Sequence, residues 1–354
     1  MYPDIYLHPA DCTRQIQNRL HNNPDSQKQI NRKMKIIGTG STVPDKTVSN
    51  DMLTGFLDTS DEWISTRTGI RSRQIITNET LEDLAIDAAG KALKSSGIKP
   101  EELGFIIVSN VANNFVTPSL STIVQGAIGS NCPCIDLNGA CAGFIYAMDI
   151  AEAYLKTDRA QNILILCAEE PTRFCDWHQR ETSVLFGDGA GAVVATKGDN
   201  LRSIHLTTSS NRDVIYYKRK LESTPYEQTG VATHEPLVMR GREVFRIAVQ
   251  SSNSDLNYVM DKAGVKADDI EFFLLHQANM RILEAIRTKL DQPEYKFPTN
   301  IERYGNTSSA SIPILLDELS RAGKITDGAF LALSAFGAGF VTGAAILEWN
   351  KINY

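Results

Sequence analysis

Apolar runs and amphipathic stretches alternate along this chain from Met34 to its end. The strand-like runs are Gly104–Val111, Cys134–Leu137, Asn162–Ala168, Ser183–Ala195, Ile204–Ser209, Ile270–Leu275 and Phe330–Phe336, and Met34-Lys-Ile-Ile-Gly opens the series. Between them, a 3.6-residue period predicts helices over Glu82–Ser95, Cys141–Lys156, Val244–Ala263, Arg281–Leu290 and Ile312–Ala322. Continuously apolar strands separated by helices predict α/β layers whose sheets are covered on both faces. The helix from Cys141 is apolar nearly all round, through Phe144, Ile145, Ala147, Met148, Ile150, Ala151, Tyr154 and Leu155, which places it in the middle of the molecule. The helix from Arg281 is amphipathic, with Ile282, Leu283, Ile286 and Leu290 on one face.

One arrangement recurs. In Cys134–Lys156 an apolar strand ends in small polar residues and a helix begins at a reactive residue; in Ile270–Leu290 a strand runs into His276-Gln-Ala-Asn279 and then a helix. Two halves of similar plan follow, 34–205 and 206–354, preceded by a polar, aperiodic segment 1–33 that reads as an appendage or an upstream start.

Composition narrows the class. The 354 residues are 42% apolar and 22% charged, within the globular range. Thirty-six Lys and Arg against 42 Asp and Glu leave a net charge of −6, which disfavours nucleic acid as the main partner and confines any basic surface to a local patch. Six cysteines are too sparse for a secreted disulfide scaffold and read as thiols in a reducing cytosol. Cys132-Pro-Cys134 has half the spacing of a metal site and no second pair, so no metal is expected. Residues 1–33 lack the apolar core of a secretory signal. The uncharged stretch Gly328–Leu347 is broken by glycines and reads as two buried strands around a turn, so no membrane span is expected either.

Three positions can carry chemistry. Cys141, in Asn138-Gly-Ala-Cys-Ala-Gly143, reads either as a small buried hydrophobe or as a nucleophile at a helix amino terminus, where the partial positive charge lowers a thiol pKa below about 8.5. His276 follows five apolar residues and is either a hydrogen-bonded core residue or the partner of that thiol. Asn306, in Tyr304-Gly-Asn-Thr-Ser-Ser-Ala-Ser311, lies in a plain loop capped by Ser311 or, with His276, donates to a developing oxyanion. Ile37-Gly-Thr-Gly-Ser-Thr-Val-Pro44 imitates a dinucleotide loop but lacks the third glycine and the helix start. Phe186-Gly-Asp-Gly-Ala-Gly-Ala192 and Phe336-Gly-Ala-Gly-Phe340 are glycine turns between strands.

Five ordered motifs resemble the β-ketoacyl-acyl carrier protein synthase III family, of the thiolase superfamily: Thr59-Ser-Asp-Glu-Trp-Ile-Ser-Thr-Arg-Thr-Gly-Ile-Arg71, Ala140-Cys-Ala-Gly-Phe144, Leu185-Phe-Gly-Asp-Gly-Ala-Gly-Ala192, His276-Gln-Ala-Asn279 and Gly305-Asn-Thr-Ser-Ser-Ala-Ser311. The resemblance spans Met34 to the end and implies an α/β, five-layered αβαβα thiolase-like fold of two duplicated halves, usually a homodimer. It implies a decarboxylating Claisen condensation that initiates fatty acid synthesis, in which acyl-CoA and malonyl-acyl carrier protein are substrates and no cofactor is used. Cys141, His276 and Asn306 would form the catalytic triad, and the backbone N–H groups of Cys141 and Ala338 the oxyanion hole. Trp63 and Arg180 would sandwich the coenzyme A adenine, with Thr59 and Arg67 in the same site and Gly241 and Asn279 on the pantetheine. Arg281, with Arg246, Arg287 and Lys289, would meet the acidic carrier protein. Phe115, crossing a dimer, and Phe336 would shape the acyl pocket.

Some positions depart from the family. Ala338 replaces the middle glycine of a turn, Thr342 stands where some members carry Trp, Arg242 replaces an expected Asn, and residues 206–237 match no pattern. These bear on the primer and admit an alternative: a relative in a specialised-metabolite pathway that takes a branched, longer or aryl primer, or transfers acyl groups without decarboxylation. A non-catalytic acyl-binding partner subunit is the third reading, disfavoured by the presence of Cys141.

Overall fold

A computed structural model describes residues 34–111, 113–218, 236–352 and 354. Strands β1 (Lys35–Thr42), β2 (Phe105–Ser109), β3 (Cys134–Leu137), β4 (Asn162–Glu169) and β5 (Gly189–Thr196) form one sheet in the order β1-β5-β4-β2-β3. Strands β6 (Leu201–Asn211), β7 (Ile270–Leu275), β8 (Phe330–Gly337) and β9 (Gly339–Glu348) form a second in the order β7-β8-β9-β6. The pairing logic repeats. In the first sheet β1 and β4 flank β5 antiparallel and β2 joins β4 in parallel. In the second, β6 and β8 flank β9 antiparallel and β7 joins β8 in parallel. The duplication that identity between the halves does not reveal is therefore plain in the topology. The boundary drawn at residues 205 and 206 lies inside β6, which already belongs to the second sheet.

The main helices are α1 (Asp61–Thr68), α2 (Leu81–Ser96), α3 (Leu120–Ile128), α4 (Gly143–Lys156), α5 (Gly241–Ala263), α6 (Met280–Leu290) and α7 (Ser311–Arg321). Strand alternation sorts them into layers. Ile106, Leu164, Leu166 and Val194 face α2 and α3, while Ile107, Ile163, Ile165 and Val193 face α4 and α7. On the second sheet Leu331, Leu333 and Leu347 meet that same central pair, and Phe273, Ala332 and Ile346 meet α5 and α6. The result is the αβαβα arrangement. In α4, Phe144, Ile145, Ala147, Met148, Ala151 and Leu155 are all inaccessible to solvent, as expected for a helix apolar all round.

Several expectations shift. The Gly-Thr-Gly stretch is not a nucleotide loop: Gly38 and Gly40 lie within β1, and a Cβ on either would meet α2 backbone atoms within 2.5 Å, so these glycines seat α2 on the sheet. The run Ser183–Ala195 becomes a strand only at Gly189, because Arg180–Ser183 is a helical turn and the buried Asp188 carboxylate accepts from Ile76 N–H and Thr172. Two short helices outside the predicted set are fixed at both ends by their caps. Ser60 accepts from Trp63 N–H to start α1, Ser119 accepts from Thr122 N–H to start α3, and Gly69 and Gly129 end them in left-handed conformations. Gly328–Leu347 supplies β8 and most of β9, and among the described residues no helix is long and apolar enough to cross a membrane.

Candidate active site

Cys141 sits where β3 hands over to α4. Asn138 Oδ1 accepts from Ala140 N–H at 3.1 Å, Ala140 adopts the left-handed φ of 44°, and a single 3₁₀ turn over Ala140–Ala142 leads into the helix. Left-handed alanines cost of order 1 kcal/mol or more and cluster where a reactive residue must be presented. The end of β8 presses against this turn: a Cβ on Gly337 would lie 2.6 Å from Cys141 N, and one on Gly143 only 1.9 Å from Ser109 Oγ, so both positions require glycine. Cys141 keeps some accessible surface. Its thiol pKa is nonetheless not lowered, contrary to the helix-terminus argument. Burial pushes it up to about 12, against the hydrogen bond from Ser308 Oγ at 3.4 Å and aided by the nearby Glu169. Desolvation outweighs the partial charge of the terminus here.

His276 continues the β7 ladder by one residue, its N–H donating to Ser334 O on β8, and its ring meets the Phe336 ring edge-on at 5.4 Å. Its side chain is buried, and desolvation drops it to about 3, so the imidazole is neutral at physiological pH. Ser311 Oγ lies 2.8 Å from His276 Nδ1 and accepts from Gln277 N–H at 3.3 Å, and a hydroxyl proton donated to Nδ1 leaves the ring proton on Nε2. Ser311 is thus the histidine's orienting partner and not the helix cap; the cap position of α7 is Ala310 and carries no side-chain bond.

Asn306 is pinned through its backbone to the glycine turn of the first half, with its N–H on Leu185 O and its C=O accepting from Gly187 N–H. Its Oδ1 accepts from Ser308 N–H at 2.8 Å, which assigns the Nδ2 end as the donor to a bound group. Cys141, His276 and Asn306, from three distant segments, all line one cavity of about 1850 Å³.

Phe115, Phe336, Ala338, Gly241, Asn279, Arg67 and Arg281 line the same cavity, as does Arg242. Phe115 is 49% exposed. Thr342 lies outside its wall, buried with its hydroxyl 2.5 Å from Asp255 Oδ2. Trp63, half-buried on α1, carries the guanidiniums of Arg67 and Arg180 at 4.6 and 4.7 Å from its ring centroid. Arg180 also donates to Asp58 O at 2.6 Å, so a base enters between it and the indole only by displacing it. Thr59, just before α1, is half-buried. Asn279 caps α6 through Arg281 N–H. Arg246, Arg281 and Lys289 are exposed, whereas Arg287 is half-buried and paired with Glu284 at 2.8 Å and Gln292 O at 3.2 Å.

A buried polar cluster under Cys141 escaped the sequence reading. Glu169, at the end of β4 and inaccessible to solvent, accepts from Ser309 Oγ at 2.6 Å, Ser308 Oγ at 3.3 Å and Val111 N–H at 3.2 Å, and Ser109 Oγ donates to Ser309 at 3.0 Å. The available signal was the acidic pair Glu169-Glu170 ending a strand that is apolar from Ile163 to Ala168 and the Ser308-Ser309 pair shortly after Asn306.

The arrangement joins a thiol, a neutral imidazole donor and an amide donor in one cavity, a set suited to acyl transfer through a thioester and to holding an enolate oxygen. Residues 135–211 match the family described as 3-oxoacyl-[acyl-carrier-protein (ACP)] synthase III, and residues 260–349 match its C-terminal counterpart. The β-ketoacyl-[acyl-carrier-protein] synthase III of Clostridium acetobutylicum is 41% identical over 323 residues, 90% of this chain and 99% of that protein. The crystal structure of the Aquifex aeolicus VF5 3-oxoacyl-[acyl-carrier-protein] synthase III aligns with a TM-score of 0.83 at 38% identity, covering 89% of this chain and all of that one. The priming β-ketosynthase of the R1128 polyketide pathway aligns at 0.85 with 32% identity, over 93% of this chain and all of that one. The chain belongs to the 3-oxoacyl-[acyl-carrier-protein] synthase III family and is a condensing acyltransferase of fatty acid synthesis.

Proposed function

We propose that Cys141 accepts an acyl group from acyl-CoA, and that His276 and Asn306 then hold the thioester oxygen of malonyl-acyl carrier protein while CO₂ leaves. The resulting carbanion attacks the acyl-cysteine and yields a 3-oxoacyl-carrier protein. The observation that supports this most is the 2.8 Å Ser311–His276 contact at Nδ1 of a histidine kept neutral by burial; in this reading Ser311 donates there and the ring proton sits on Nε2. A neutral donor suits an oxygen that gains charge only as the carboxylate departs. The backbone N–H groups of Cys141 and Ala338 take the tetrahedral oxyanion of the acyl-transfer steps. In this reading no metal or cofactor takes part, because both thioesters are substrates. The two halves act as one unit, since the nucleophile comes from the first and both donors from the second.

Coenzyme A is read by Trp63, Arg180, Thr59 and Arg67, with Gly241 and Asn279 along the pantetheine. Stacking on a guanidinium and an indole suits a flat base. Trp63→Ala and Arg180→Ala are expected to slow single-turnover acylation from acyl-CoA by roughly tenfold or more, in line with about 1–3 kcal/mol per stacked base. Condensation on enzyme already acylated at Cys141 should be unchanged. The measurement is the mass added to Cys141 against time.

The carrier-protein surface comprises Arg246, Arg281 and Lys289, with Arg287 contributing less because it is paired with Glu284. Arg281→Glu should leave acylation intact and slow condensation, and condensation by the parent enzyme should fall as salt rises, since exposed charges are screened over about 8 Å at physiological ionic strength. Equal slowing of both half-reactions, or salt-independent condensation, would remove the patch.

The fold works as a cytosolic homodimer in this reading. Phe115, Val116 and Ile135 are large apolar side chains left 49, 74 and 40% exposed, a surface suited to cover by a second copy. Phe115 then crosses to the partner's acyl pocket. Ala338 adds a methyl at the cavity and narrows the primer site, while Thr342 acts outside it. Incubation with a panel of acyl-CoAs, reading the mass gained by Cys141, tests the nucleophile and ranks primers together. Preference for branched, longer or aryl groups would favour the specialised-pathway alternative.

A further inference from the structure

Beneath the cysteine lies a polar chain that the condensation scheme does not use. Ser308 Oγ sits 3.4 Å from Cys141 Sγ and 3.3 Å from Glu169 Oε1. Ser308 adopts the left-handed φ of 52°, and its N–H is held by Asn306 Oδ1 at 2.8 Å, so its hydroxyl is set between thiol and carboxylate by the same loop that positions Asn306. We infer that Ser308 and Glu169 form a proton relay that deprotonates Cys141 as it attacks acyl-CoA, with Ser308 touching the thiol and Glu169 receiving the proton through it. This rests on Cys141 being the nucleophile, as proposed above.

The hydroxyl has one proton and two neighbours, which makes the relay directional. Ser308 Oγ stands as donor toward both neighbours; with its one proton donated to Glu169 Oε1, the thiol S–H turns to donate to Ser308 Oγ, and the relay starts from that arrangement. As the sulfur attacks, the S–H bond breaks, its proton passes to Ser308 Oγ, and the original hydroxyl proton passes to Glu169. The C–Sγ bond forms and the C–S bond to coenzyme A breaks; the departing thiolate takes a proton from solvent in the cavity and Glu169 returns its proton to solvent, so protons and electrons balance.

Two considerations favour this assignment over a structural role. Burying a carboxyl without a cation is costly, and no Lys or Arg pairs with Glu169 among the described residues. The titratable groups around it are the Cys141 and Cys167 thiols, both pushed up by burial, Glu170 next in the chain, and the neutral His276 that lines the cavity with Cys141. In that setting Glu169 is raised to about 7, close to the operating pH where a general base works best. A thiol pushed far up by burial is, by contrast, protonated at rest at neutral pH, so in this reading its proton leaves during attack.

Glu169→Gln retains shape: the amide oxygen still accepts from Val111 N–H and its NH₂ donates to the serine hydroxyls, which rotate. Ser308→Ala breaks the link but preserves the backbone N–H on Asn306. Single-turnover acylation from acyl-CoA and decarboxylation of malonyl-carrier protein are measured from about pH 5.5 to 9.5 for the parent, both variants and Cys141→Ala. The relay predicts parent acylation that rises to a plateau through about pH 7, as Glu169 ionises. At pH 7 both variants should be slower by roughly 100-fold, a typical general-base contribution, with the plateau replaced by a tenfold rise per pH unit to the top of the range. Decarboxylation should stay within about twofold. Parental acylation rates and profiles in both variants overturn the relay alone. Equal loss of both half-reactions marks a structural role and also overturns it. Acylation that survives in Cys141→Ala removes the nucleophile and the relay with it.

Discussion

Cys141→Ala is expected to abolish acyl-enzyme formation and, with it, condensation, by a factor on the order of 10⁵–10⁶, the scale seen when a covalent nucleophile is removed. Among the described residues that line the cavity, Cys141 carries the only thiol, the group suited both to attack a thioester and to leave from one. Among the described cysteines, Cys132 and Cys167 are buried and Cys134 and Cys175 lie away from the cavity lining, so none substitutes. The replacement removes one sulfur atom and leaves Gly337 and Gly143 seated, so folding should survive. His276 and Asn306 keep their places, and some uncoupled decarboxylation of malonyl-carrier protein should remain. Intact protein mass after exposure to acyl-CoA is the direct measurement. An acyl adduct on the variant would move the nucleophile elsewhere.

His276→Ala and Asn306→Ala should show the reverse. Each is expected to accept an acyl group but to lose decarboxylation by roughly a hundred- to a thousandfold, the cost of one oxyanion donor. The double variant should lose less than the product, because both donors act on one oxygen. Ser311→Ala frees the imidazole to take the other tautomer and should lower decarboxylation with little effect on acylation. The pH dependence separates the half-reactions further. His276 is depressed from the ordinary histidine range to about 3, so it stays neutral as the pH falls through about 6.5 and decarboxylation should be flat over about pH 5.5–8.5. A decarboxylation rate that halves near pH 6.5 would mean that His276 titrates normally and that the buried setting described here is wrong. Release of CO₂ from malonyl-carrier protein, measured without primer, reads this step alone.

Much of this was legible along the chain, because periodicity and local steric needs are local properties. The order of strands and helices, the central position of α4 and the hairpin of β8 and β9 follow from the spacing of apolar residues. Cys141, His276 and Asn306 stand at strand ends and turns marked by glycine, and the ordered motifs around them carried the family. What the tertiary structure decided was the state of each group. Burial, which is not a property of a sequence window, turned the expected low-pKa thiol into one raised to about 12 and made His276 a neutral donor. Partner choice was decided in the same way: Ser311, a helix cap by its spacing, is 35 residues from the histidine it orients, and Ser308 meets Cys141 across 167 residues and Glu169 across 139. Arg287 reads as a free basic residue, and the fold pairs it with Glu284, one turn earlier on the same helix. Local sequence names the chemical groups; only the packed fold sets how much water each keeps and which distant side chain stands within hydrogen-bond reach, and those two quantities determine protonation and role.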